Sequence, residues 1–416
     1  MVTAVVSRGV APSLRVTPSE RHGSHHQVAH PQHQLRKFRH SSNTSSSLIM
    51  SCTPNRSSNS SSISTGASSR ASSSRWGSSG SQADSPGTSR NSIGVAGVQA
   101  ETSDEVTGSS KTGGLTIGKV SVQGLREEME DDALVLEGPL GFTYAAVFDG
   151  HVGLDAVNFL RDELYKECVE ALQGGKLLES DDQNAVQEAL VNAFRQTDTR
   201  LLSWLETDSE EKEAGATATI LFMRDNSVTV AHVGDSRAVL SQGGKAVDLS
   251  GDHRPFGNSK TSVAEIKRIK TEGGWVSHGR LFSTLSVSRA FGDRCFKTKK
   301  KEMLEDGIAQ RLWTKSFTQR FNLDGNWLSV TPDVSQIKLE DNAEFIIVAS
   351  DGLWDSFKSN DAVQFIRKQL KKHGDVQKAT EAIAQATLER QGQDNISIII
   401  LCFGKISQEE PGFQLW

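Results

Sequence analysis

The sequence predicts an α+β fold in which mostly antiparallel β-sheets are covered by helices. Segments with strand patterns come in runs rather than in strict alternation with helical segments, and runs favour antiparallel pairing. Two segments, Glu344–Ala349 and Ile396–Phe403, are continuous and β-rich, as is typical of strands buried on both faces. The predicted order is β-β-β, α-α, β-β-β, α, β, α-α, β, within one domain of roughly 290 residues.

The remaining elements follow from the spacing of apolar residues. Alternation, or a short apolar run that ends at a turn, predicts strands over Leu115–Val122, Phe142–Phe148, Ala216–Phe222, Val228–Val233 and Ala238–Leu240. Apolar spacings of three and four predict a helix over Leu154–Leu172. The same pattern predicts helices over 184–205, 262–271, 361–372 and 375–390.

Composition divides the chain near residue 112. Residues 1–100 carry 10 Lys or Arg, 2 acidic residues and 27 serines, which leaves a charge balance of −13 for the other 316 residues. We therefore predict that 1–112 is a disordered Ser/Arg-rich arm, because such a segment buries little apolar surface. An Arg-rich, Ser-rich, acid-poor N-terminus is typical of an organelle transit peptide. A plain disordered tail and a nucleic-acid-binding arm are the alternatives. Residues 406–416 are predicted to be a short C-terminal tail.

Several classes of protein are disfavoured by the same composition. The acidic body argues against nucleic-acid partners, which need a basic face. The sequence contains no stretch of about 18 consecutive apolar residues, so a transmembrane helix is not predicted. The four cysteines lie far apart in the chain, so neither a disulfide scaffold nor a metal-thiolate site is expected. Cys168 and Cys402 are predicted to be small buried residues.

Aspartates stand at the ends of several predicted strands. The four positions are Asp149 beside Gly150, Asp235 after Gly234, Asp351 beside Gly352, and Asp394 just before the last strand. A fifth acidic group, which includes Glu130 and Asp131, is expected in the turn after the first strand. Any one of these is ordinary turn chemistry. Strand ends of one sheet meet at an edge, however, and carboxylates clustered there would repel one another unless a cation binds. Oxygen ligands favour Mg²⁺ or Mn²⁺ over zinc or copper.

Eight short blocks, in this order, resemble the metal-dependent type 2C serine/threonine protein phosphatases. They are RxxMED at 126–131, FDGH at 148–151, AGATA at 214–218, VGDSRAVL at 233–240, DHRP at 252–255, SVSRAFGD at 286–293, SDGLWD at 350–355 and QDNISIII at 393–400. The resemblance implies a central β-sandwich of two mostly antiparallel sheets flanked by helices, over 113–405. It also implies hydrolysis of phosphoserine and phosphothreonine by a metal-bound water at a binuclear Mg²⁺ or Mn²⁺ site.

The resemblance also implies the metal ligands. Asp149 matches the carboxylate shared by both ions, and the carbonyl of Gly150 matches a ligand of the first. Asp351 and Asp394 match the ligands of the second ion. The acidic pair Glu130 and Asp131 would reach one ion directly or through water. Two further positions, Asp235 and Asp355, match residues that hold a weaker third ion in some relatives.

Two side chains match catalytic roles outside the metal ligands. Arg126 corresponds to the phosphate-binding arginine, whose planar guanidinium suits two phosphate oxygens; pairing with Glu127 or Glu130 is the structural alternative. His151 corresponds to the proposed general acid for the leaving serine or threonine oxygen; a histidine that only satisfies a helix N-terminus is the alternative. Arg289 and Asp293 are expected to form an internal ion pair and a turn. We expect Trp354 to pack in the core, and Ser236 and Arg237 to stabilise their turn.

The chain departs from the family pattern at three places. Val152 replaces a glycine after FDGH, and His232 replaces the usual asparagine before VGDSR. An insertion at 295–329 separates SVSRAFGD from the next matched segment. It is either a solvated surface loop with a short helix or an element that selects a substrate or partner.

The insertion, RCFK at 294–297, KKHGDVQ at 371–377 and the Ser-rich arm resemble one plant subgroup most. That subgroup is thylakoid-associated in chloroplasts and acts on light-harvesting antenna proteins during state transitions. We therefore expect phosphorylated protein substrates and a chloroplast location, either in the stroma or peripherally on the thylakoid surface. Mitochondrial or cytoplasmic locations are the alternatives. A catalytically inactive phosphoprotein-binding regulator and a small-molecule phosphatase are the alternative functions.

Overall fold

A computed structural model describes residues 115–180, 182–207 and 212–404. The predicted arm 1–112 and tail 406–416 lie outside the described residues, so both stay predictions.

The described residues contain thirteen β-strands. They are β1 (Thr116–Val122), β2 (Asp131–Glu137), β3 (Thr143–His151), β4 (Gly215–Arg224), β5 (Ser227–Val233), β6 (Arg237–Gln242), β7 (Lys245–Asp248), β8 (Val276–Ser277), β9 (Arg280–Leu281), β10 (Phe291–Gly292), β11 (Asp333–Lys338), β12 (Ala343–Ala349) and β13 (Ile396–Cys402).

Nine α-helices and two 3₁₀ segments complete the elements of this part of the chain. The helices are α1 (Asp155–Ala171), α2 (Gln183–Thr207), α3 (Lys260–Thr271), α4 (Arg294–Lys297), α5 (Lys300–Ala309), α6 (Lys315–Thr318), α7 (Asp351–Trp354), α8 (Ser359–His373) and α9 (Val376–Glu389). The 3₁₀ segments are Pro139–Gly141 and Gln173–Glu179. None of the helices described here is long and apolar enough to cross a membrane.

Two antiparallel sheets form a sandwich. One sheet has the order β1-β13-β12-β6-β7, and the other has the order β11-β5-β4-β3-β2 with β10 paired to β4. The short pair β8–β9 stands apart. The predicted α+β class and the sandwich with flanking helices are confirmed.

Alternation along the central strands builds the layers. In β3, Ala145 and Val147 face the core between the sheets, where they join Ile399 and Leu401 of β13. The intervening Tyr144 and its neighbours on the other face of β3 pack against α1 and α2. On the outer face of the other sheet, α8 and α9 bury a second apolar cluster. Each central strand is therefore apolar on both faces, which explains the continuous runs in the sequence.

The strands that sequence patterns missed carry weak patterns. β7 is nearly all exposed or half-buried, and β11 is half-buried along most of its length. Edge strands keep one side in solvent, so their sequences need no apolar run. One placement was wrong: Asp131 is the first residue of β2, paired with Asp149, and not part of a turn. The turn before β2 is shorter than expected because pairing with β3 already begins there.

The insertion is a packed element rather than a solvated loop. It contains α4, α5 and α6, and its Phe296, Met303 and Trp327 are buried in one cluster with Ile269 of α3 and Phe282. Trp327 is fully buried. Apolar contact with α3 gives the insertion a defined position, so the alternative of a solvated surface loop does not describe its buried cluster. Cys168 and Cys402 are buried free thiols, as predicted.

Candidate active site

Acidic side chains converge where strands of both sheets end. Asp149 lies near the end of β3, and Asp131 pairs with it across the β2–β3 ladder. Asp235 follows β5, Asp351 begins α7 just after β12, and Asp394 lies two residues before β13. Antiparallel order brings the ends of β3, β5 and β12 and the starts of β2 and β13 to one edge. The predicted convergence of strand-end carboxylates is observed for Asp149, Asp235 and Asp351.

Three carboxylates form the centre of this site. One oxygen each of Asp149, Asp235 and Asp351 lies within 4.8 Å of the other two. Burial, and then the charges of Asp351 and Asp131, raise the pKa of Asp149 well above its usual range. Burial and then Asp235 do the same to the pKa of Asp351. The three groups repel one another as anions, and a cation between them would relieve that repulsion.

Asp131 adds a fourth buried carboxylate. It is 7% exposed, and its Oδ2 finds no hydrogen-bond partner among the described residues. Burial raises the pKa of Asp131 to about 7. An orphaned carboxylate oxygen beside three other carboxylates fits a hard divalent cation, which takes oxygen ligands.

Gly150 and Glu130 lie at close quarters in the same turn. The Gly150 N–H donates to the Glu130 carbonyl at 3.1 Å. A β-carbon at Gly150 would lie 2.5 Å from that carbonyl oxygen and 2.7 Å from Val157, so only glycine fits. The Glu130 side chain accepts the Gly153 N–H in a short hydrogen bond. Both residues are adjacent to the carboxylates, and their assignment as ligands stays a prediction.

Asp394 and Arg126 meet each other at the rim. Arg126 Nη2 donates to Asp394 Oδ2 at 2.6 Å, and their side chains are 53% and 38% exposed. Burial by itself lowers the pKa of Arg126, but the Asp394 charge outweighs burial and raises this pKa above its usual value. Arg126 thus pairs with Asp394 rather than with Glu127 or Glu130, and Asp394 lies outside the three-carboxylate group. The phosphate role of Arg126 and the ligand role of Asp394 stay predictions.

Asn395 holds the acidic loop against β13, a role that the sequence reasoning missed. Its Oδ1 accepts the Glu130 N–H at 2.7 Å, and its Nδ2 donates to the carbonyls of Gln123 and Glu128 at 2.7 and 3.0 Å. Asn395 is 4% exposed. Its place in the matched QDN block was the available signal.

His151 is bound by a carboxylate. Its Nε2 lies 2.9 Å from both oxygens of Asp293, which is 4% exposed and precedes α4 with φ 56°. Burial opposes protonation, but Asp293 raises the pKa of His151. His151 lies at the end of β3, and Asp293 rather than a helix terminus binds its ring.

Asp293 and Arg289 are not partners of each other. Arg289 Nη2 contacts Glu265 at 2.8 Å, and its Nη1 contacts Asp333 at 2.8 Å. The expected internal ion pair is confirmed for Arg289 alone. Asp293 occupies a turn as expected, but its carboxylate binds His151 because β10 brings that turn beside the end of β3.

The other motif side chains follow their structural alternatives. Trp354 is 5% exposed in the outer core, and its Nε1 donates to the Ala349 carbonyl at 2.8 Å. Arg237 donates to both oxygens of Asp252 at 2.5 and 2.7 Å. Ser236 lies 3.2 Å from the Thr217 hydroxyl. All three stabilise the turns that carry the acidic residues.

Arg254 enters the acidic site, which sequence reasoning did not anticipate. Its Nε lies 2.6 Å from Asp235, its Nη2 lies 2.8 Å from Asp351, and its Nη1 lies 3.1 Å from Asp355. Burial by itself lowers the pKa of Arg254, but these carboxylates outweigh burial and raise this pKa above its usual value. Arg254 belongs to the matched DHRP block, but the presence of an arginine there does not reveal which carboxylates its side chain contacts.

His232, His253 and Asp333 form a second group of potential ligands. The rings of His232 and His253 stack with their centroids 4.5 Å apart, and His253 Nε2 lies 3.3 Å from Asp333 Oδ2. His253 Nδ1 accepts the Gly234 N–H at 3.2 Å, so Nε2 of the neutral ring carries the proton. Burial and then His253 lower the pKa of His232 to about 4. His253 Nε2 is buried and forms no hydrogen bond among the described residues, although the Asp333 carboxylate lies 3.3 Å away.

Known proteins share both the sequence pattern and the fold. The family model described as "Protein phosphatase 2C" matches residues 116–396. "Protein phosphatase 2C 57" of Arabidopsis thaliana is 50% identical over 290 residues, covering 69% of this chain and 75% of that protein. "Probable protein phosphatase 2C 22" of the same plant is 32% identical over 292 residues, covering 67% and 66%.

Solved structures agree at the level of the fold. The "serine-threonine phosphatase 2C from Toxoplasma gondii" matches with a TM-score of 0.54 at 23% identity, covering 69% of this chain and 94% of that one. A "C.elegans sex determining protein" matches with a TM-score of 0.55 at 20% identity, covering 70% and 65%. With the two-sheet sandwich and the strand-end carboxylates in place, these matches show that the chain belongs to the protein phosphatase 2C family and is a serine/threonine protein phosphatase.

Proposed function

We propose that the chain hydrolyses phosphoserine and phosphothreonine in proteins at a site that holds two Mg²⁺ or Mn²⁺ ions. The observation that carries the proposal is the group formed by Asp149, Asp235 and Asp351, with their oxygens within 4.8 Å of one another. The orphaned oxygen of Asp131 supports it, because a buried carboxylate without a partner is unfavourable in the absence of a cation.

Within this proposal, Asp149, Asp351, Asp394 and the Gly150 carbonyl would hold the two ions, and Glu130 and Asp131 would reach one of them directly or through water. Asp235, the remaining member of the carboxylate group, would lie beside them. When bound, such ions lower the pKa of water and neutralise charge on a phosphoryl group. Arg126, half exposed at the rim, orients two phosphate oxygens through its planar guanidinium.

His151 protonates the leaving oxygen in this proposal. Its Nε2 contacts Asp293, which leaves Nδ1 as the ring nitrogen that can donate a proton to the leaving oxygen. Asp293 orients the ring through Nε2, and its charge offsets the effect of burial and favours the protonated ring, which can donate its Nδ1 proton.

The test is phosphopeptide hydrolysis by the full chain in Mn²⁺, in EDTA and with Asp351→Asn. We expect EDTA to abolish turnover and Asp351→Asn to lower kcat/KM at least about 100-fold, because a carboxylate that neutralises the ions is lost. Asp162→Asn, an exposed aspartate on α1, is the matched control and should leave turnover unchanged. Turnover that survives both EDTA and Asp351→Asn contradicts the metal-dependent proposal, and absence of turnover by the unmodified protein in Mn²⁺ favours the phosphoprotein-binding regulator instead.

Parallel assays with phosphoproteins and sugar phosphates separate the small-molecule alternative. A protein phosphatase should favour phosphoproteins. A preference for sugar phosphates would overturn the assignment of substrate class.

We further propose that the substrates are phosphorylated light-harvesting antenna proteins and that the chain acts in chloroplasts, in the stroma or peripherally on thylakoids. The Ser-rich, acid-poor composition of residues 1–100 supports an organelle address. Incubating isolated phosphorylated thylakoids with the full chain, followed by phosphoproteomics, should show loss of antenna phosphosites. Unchanged antenna phosphosites beside efficient phosphopeptide turnover would contradict this substrate alone.

Location has its own test. A fluorescent protein fused behind residues 1–110 should enter chloroplasts in plant cells. Mitochondrial import or cytosolic retention would replace the chloroplast proposal with one of the two alternatives.

A further inference from the structure

Arg254 uses all three guanidinium nitrogens on three different aspartates. Nε contacts Asp235 at 2.6 Å, Nη2 contacts Asp351 at 2.8 Å and Nη1 contacts Asp355 at 3.1 Å. The Arg254 and Asp235 side chains are 15% and 3% exposed, so their ion pair is mostly removed from water, whereas the Asp355 side chain is 61% exposed. Such a fan of contacts needs the fork of an arginine, since a lysine offers one point charge.

The backbone around Arg254 is tied to the same turn that carries Asp235. The His253 N–H donates to the Gly234 carbonyl at 2.9 Å, and the Gly234 N–H donates to His253 Nδ1 at 3.2 Å. The His253 carbonyl also accepts the Ser288 N–H at 2.8 Å. The base of the Arg254 side chain is thereby fixed against the site, and its reach to the carboxylates is built into the fold.

Two of the three aspartates are those that the family resemblance assigns to a weaker third ion. A divalent ion at Asp235 and Asp355 would face a guanidinium that already pairs with both. The two cations would compete for the same oxygens and would repel each other.

We propose that Arg254 is a built-in cation that competes with a third divalent ion for Asp235 and Asp355. This inference rests on the proposed function, because it presupposes two ions held at the neighbouring carboxylates. Arg254 then has two consequences: it weakens the third ion site, and it offsets part of the negative charge of the acidic cluster before any ion binds.

A second role for a buried arginine at this site is direct contact with the substrate phosphate. That role makes a different prediction. Removing a phosphate contact would raise KM for phosphopeptide and leave the number and affinity of bound ions unchanged.

The experiment counts bound Mn²⁺ on the full-length protein by electron paramagnetic resonance, with Arg254→Gln, Arg254→Lys and Arg200→Gln as variants. Arg200 lies on α2, is 48% exposed and pairs with α1 carboxylates, so its loss removes one positive charge far from the site. We expect the third Mn²⁺ to bind at least about tenfold tighter in Arg254→Gln, and by a smaller factor in Arg254→Lys. Arg200→Gln should match the unmodified protein.

Thermal unfolding in EDTA is the second readout. Arg254→Gln should unfold at a lower temperature than the unmodified protein, and added Mn²⁺ should restore more of its stability. Equal third-site affinity in both Arg254 variants and the unmodified protein overturns the inference, as does a raised KM with unchanged Mn²⁺ binding. If Arg254→Gln does not fold, Arg254→Lys decides by the same Mn²⁺ count.

Failure of the underlying function has a separate signature. The unmodified protein would then bind no pair of Mn²⁺ ions, or would bind them without hydrolysing phosphopeptide.

Discussion

At the scale of single residues, Val152 is held in a backbone conformation that disfavours its type. It follows His151 with φ 62°, in the left-handed region that favours glycine. A β-branched side chain is strained there, and left-handed backbone costs about 1–2 kcal/mol for a residue with a β-carbon. The neighbouring Gly153 has φ 104° and carries no such strain. The turn beside the acidic site thus contains one strained and one relaxed position.

We predict that Val152→Gly raises the free energy of unfolding by about 1 kcal/mol, because relief of strain outweighs the added freedom of the unfolded chain. Urea unfolding at fixed Mn²⁺ measures it. Val263→Gly, at an exposed position in α3, is the control and should lower stability by about 1 kcal/mol. The same loss in both variants would contradict the strain.

The pairing of Asp293 with His151 gives a second prediction at this scale. Asp293→Asn keeps the shape but removes the charge that favours protonated His151, so kcat for phosphothreonine peptides should fall about 100-fold. Turnover of p-nitrophenyl phosphate should fall much less, because its leaving group needs no proton. Asp333→Asn serves as a control carboxylate outside the pair. An equal loss on both substrates would assign Asp293 a purely structural role.

At the scale of elements, the site depends on two loops that touch through their backbones. Gly352, the second residue of α7, lies beside the Asn395 carbonyl, and a β-carbon there would lie 2.0 Å from that oxygen. Asp351 precedes Gly352, and Asp394 precedes Asn395, so this contact sets the separation of two predicted metal ligands. Strand ends from one sheet supply both loops.

Gly352→Ala should therefore weaken Mn²⁺ binding by about tenfold, because the added carbon forces the two loops apart and metal ligands tolerate little displacement. Calorimetric titration with Mn²⁺ measures the change. Gly404→Ala is the matched control, since a β-carbon there meets nothing within 4 Å. Unchanged affinity in Gly352→Ala would show that the loops accommodate the methyl group without moving the ligands.

At the scale of the whole molecule, a buried ion network joins α3, β11 and the insertion. Glu265 accepts Arg268 at 2.9 Å and Arg289 at 2.8 Å, and Arg268 also donates to the Asn326 carbonyl at 2.7 Å. Glu265 is 2% exposed. Burial by itself raises the pKa of Glu265, but hydrogen bonds from Arg289 and Arg268 outweigh burial and lower this pKa to about 2. The packed insertion is thus held by charge as well as by apolar contact.

This depressed pKa makes stability depend on pH in one direction. Glu265 stabilises the fold above its unfolded value near 4.5, and that contribution is lost as pH falls from 4.5 towards 2. The loss amounts to about 3 kcal/mol at most. Urea unfolding of the unmodified protein and Glu265→Gln across this window should show a steeper decline in the unmodified protein. Parallel curves would contradict the pKa.

Local pattern predicted most of the fold. The apolar runs at Phe142–Phe148 and Ile396–Phe403 lie in β3 and β13, and the spacing within Leu154–Leu172 lies in α1. Each of these elements buries one or both faces, so apolar residues recur in the sequence at the spacing of a strand or a helix. The edge strands β7 and β11 were missed because exposed strands carry no such period, and their pairing depends on a neighbouring strand.

The sequence by itself determined the fold class, the family pattern and the carboxylates at the strand ends, since each depends on residue type within a few positions. Only the tertiary structure decided which side chains meet. His151 and Asp293 are 142 positions apart, and Asn395 and Gln123 are 272 apart. The reach of Arg254 into the acidic site is likewise a matter of how two sheets are joined. Such contacts follow from sheet register and packing, which no local periodicity encodes.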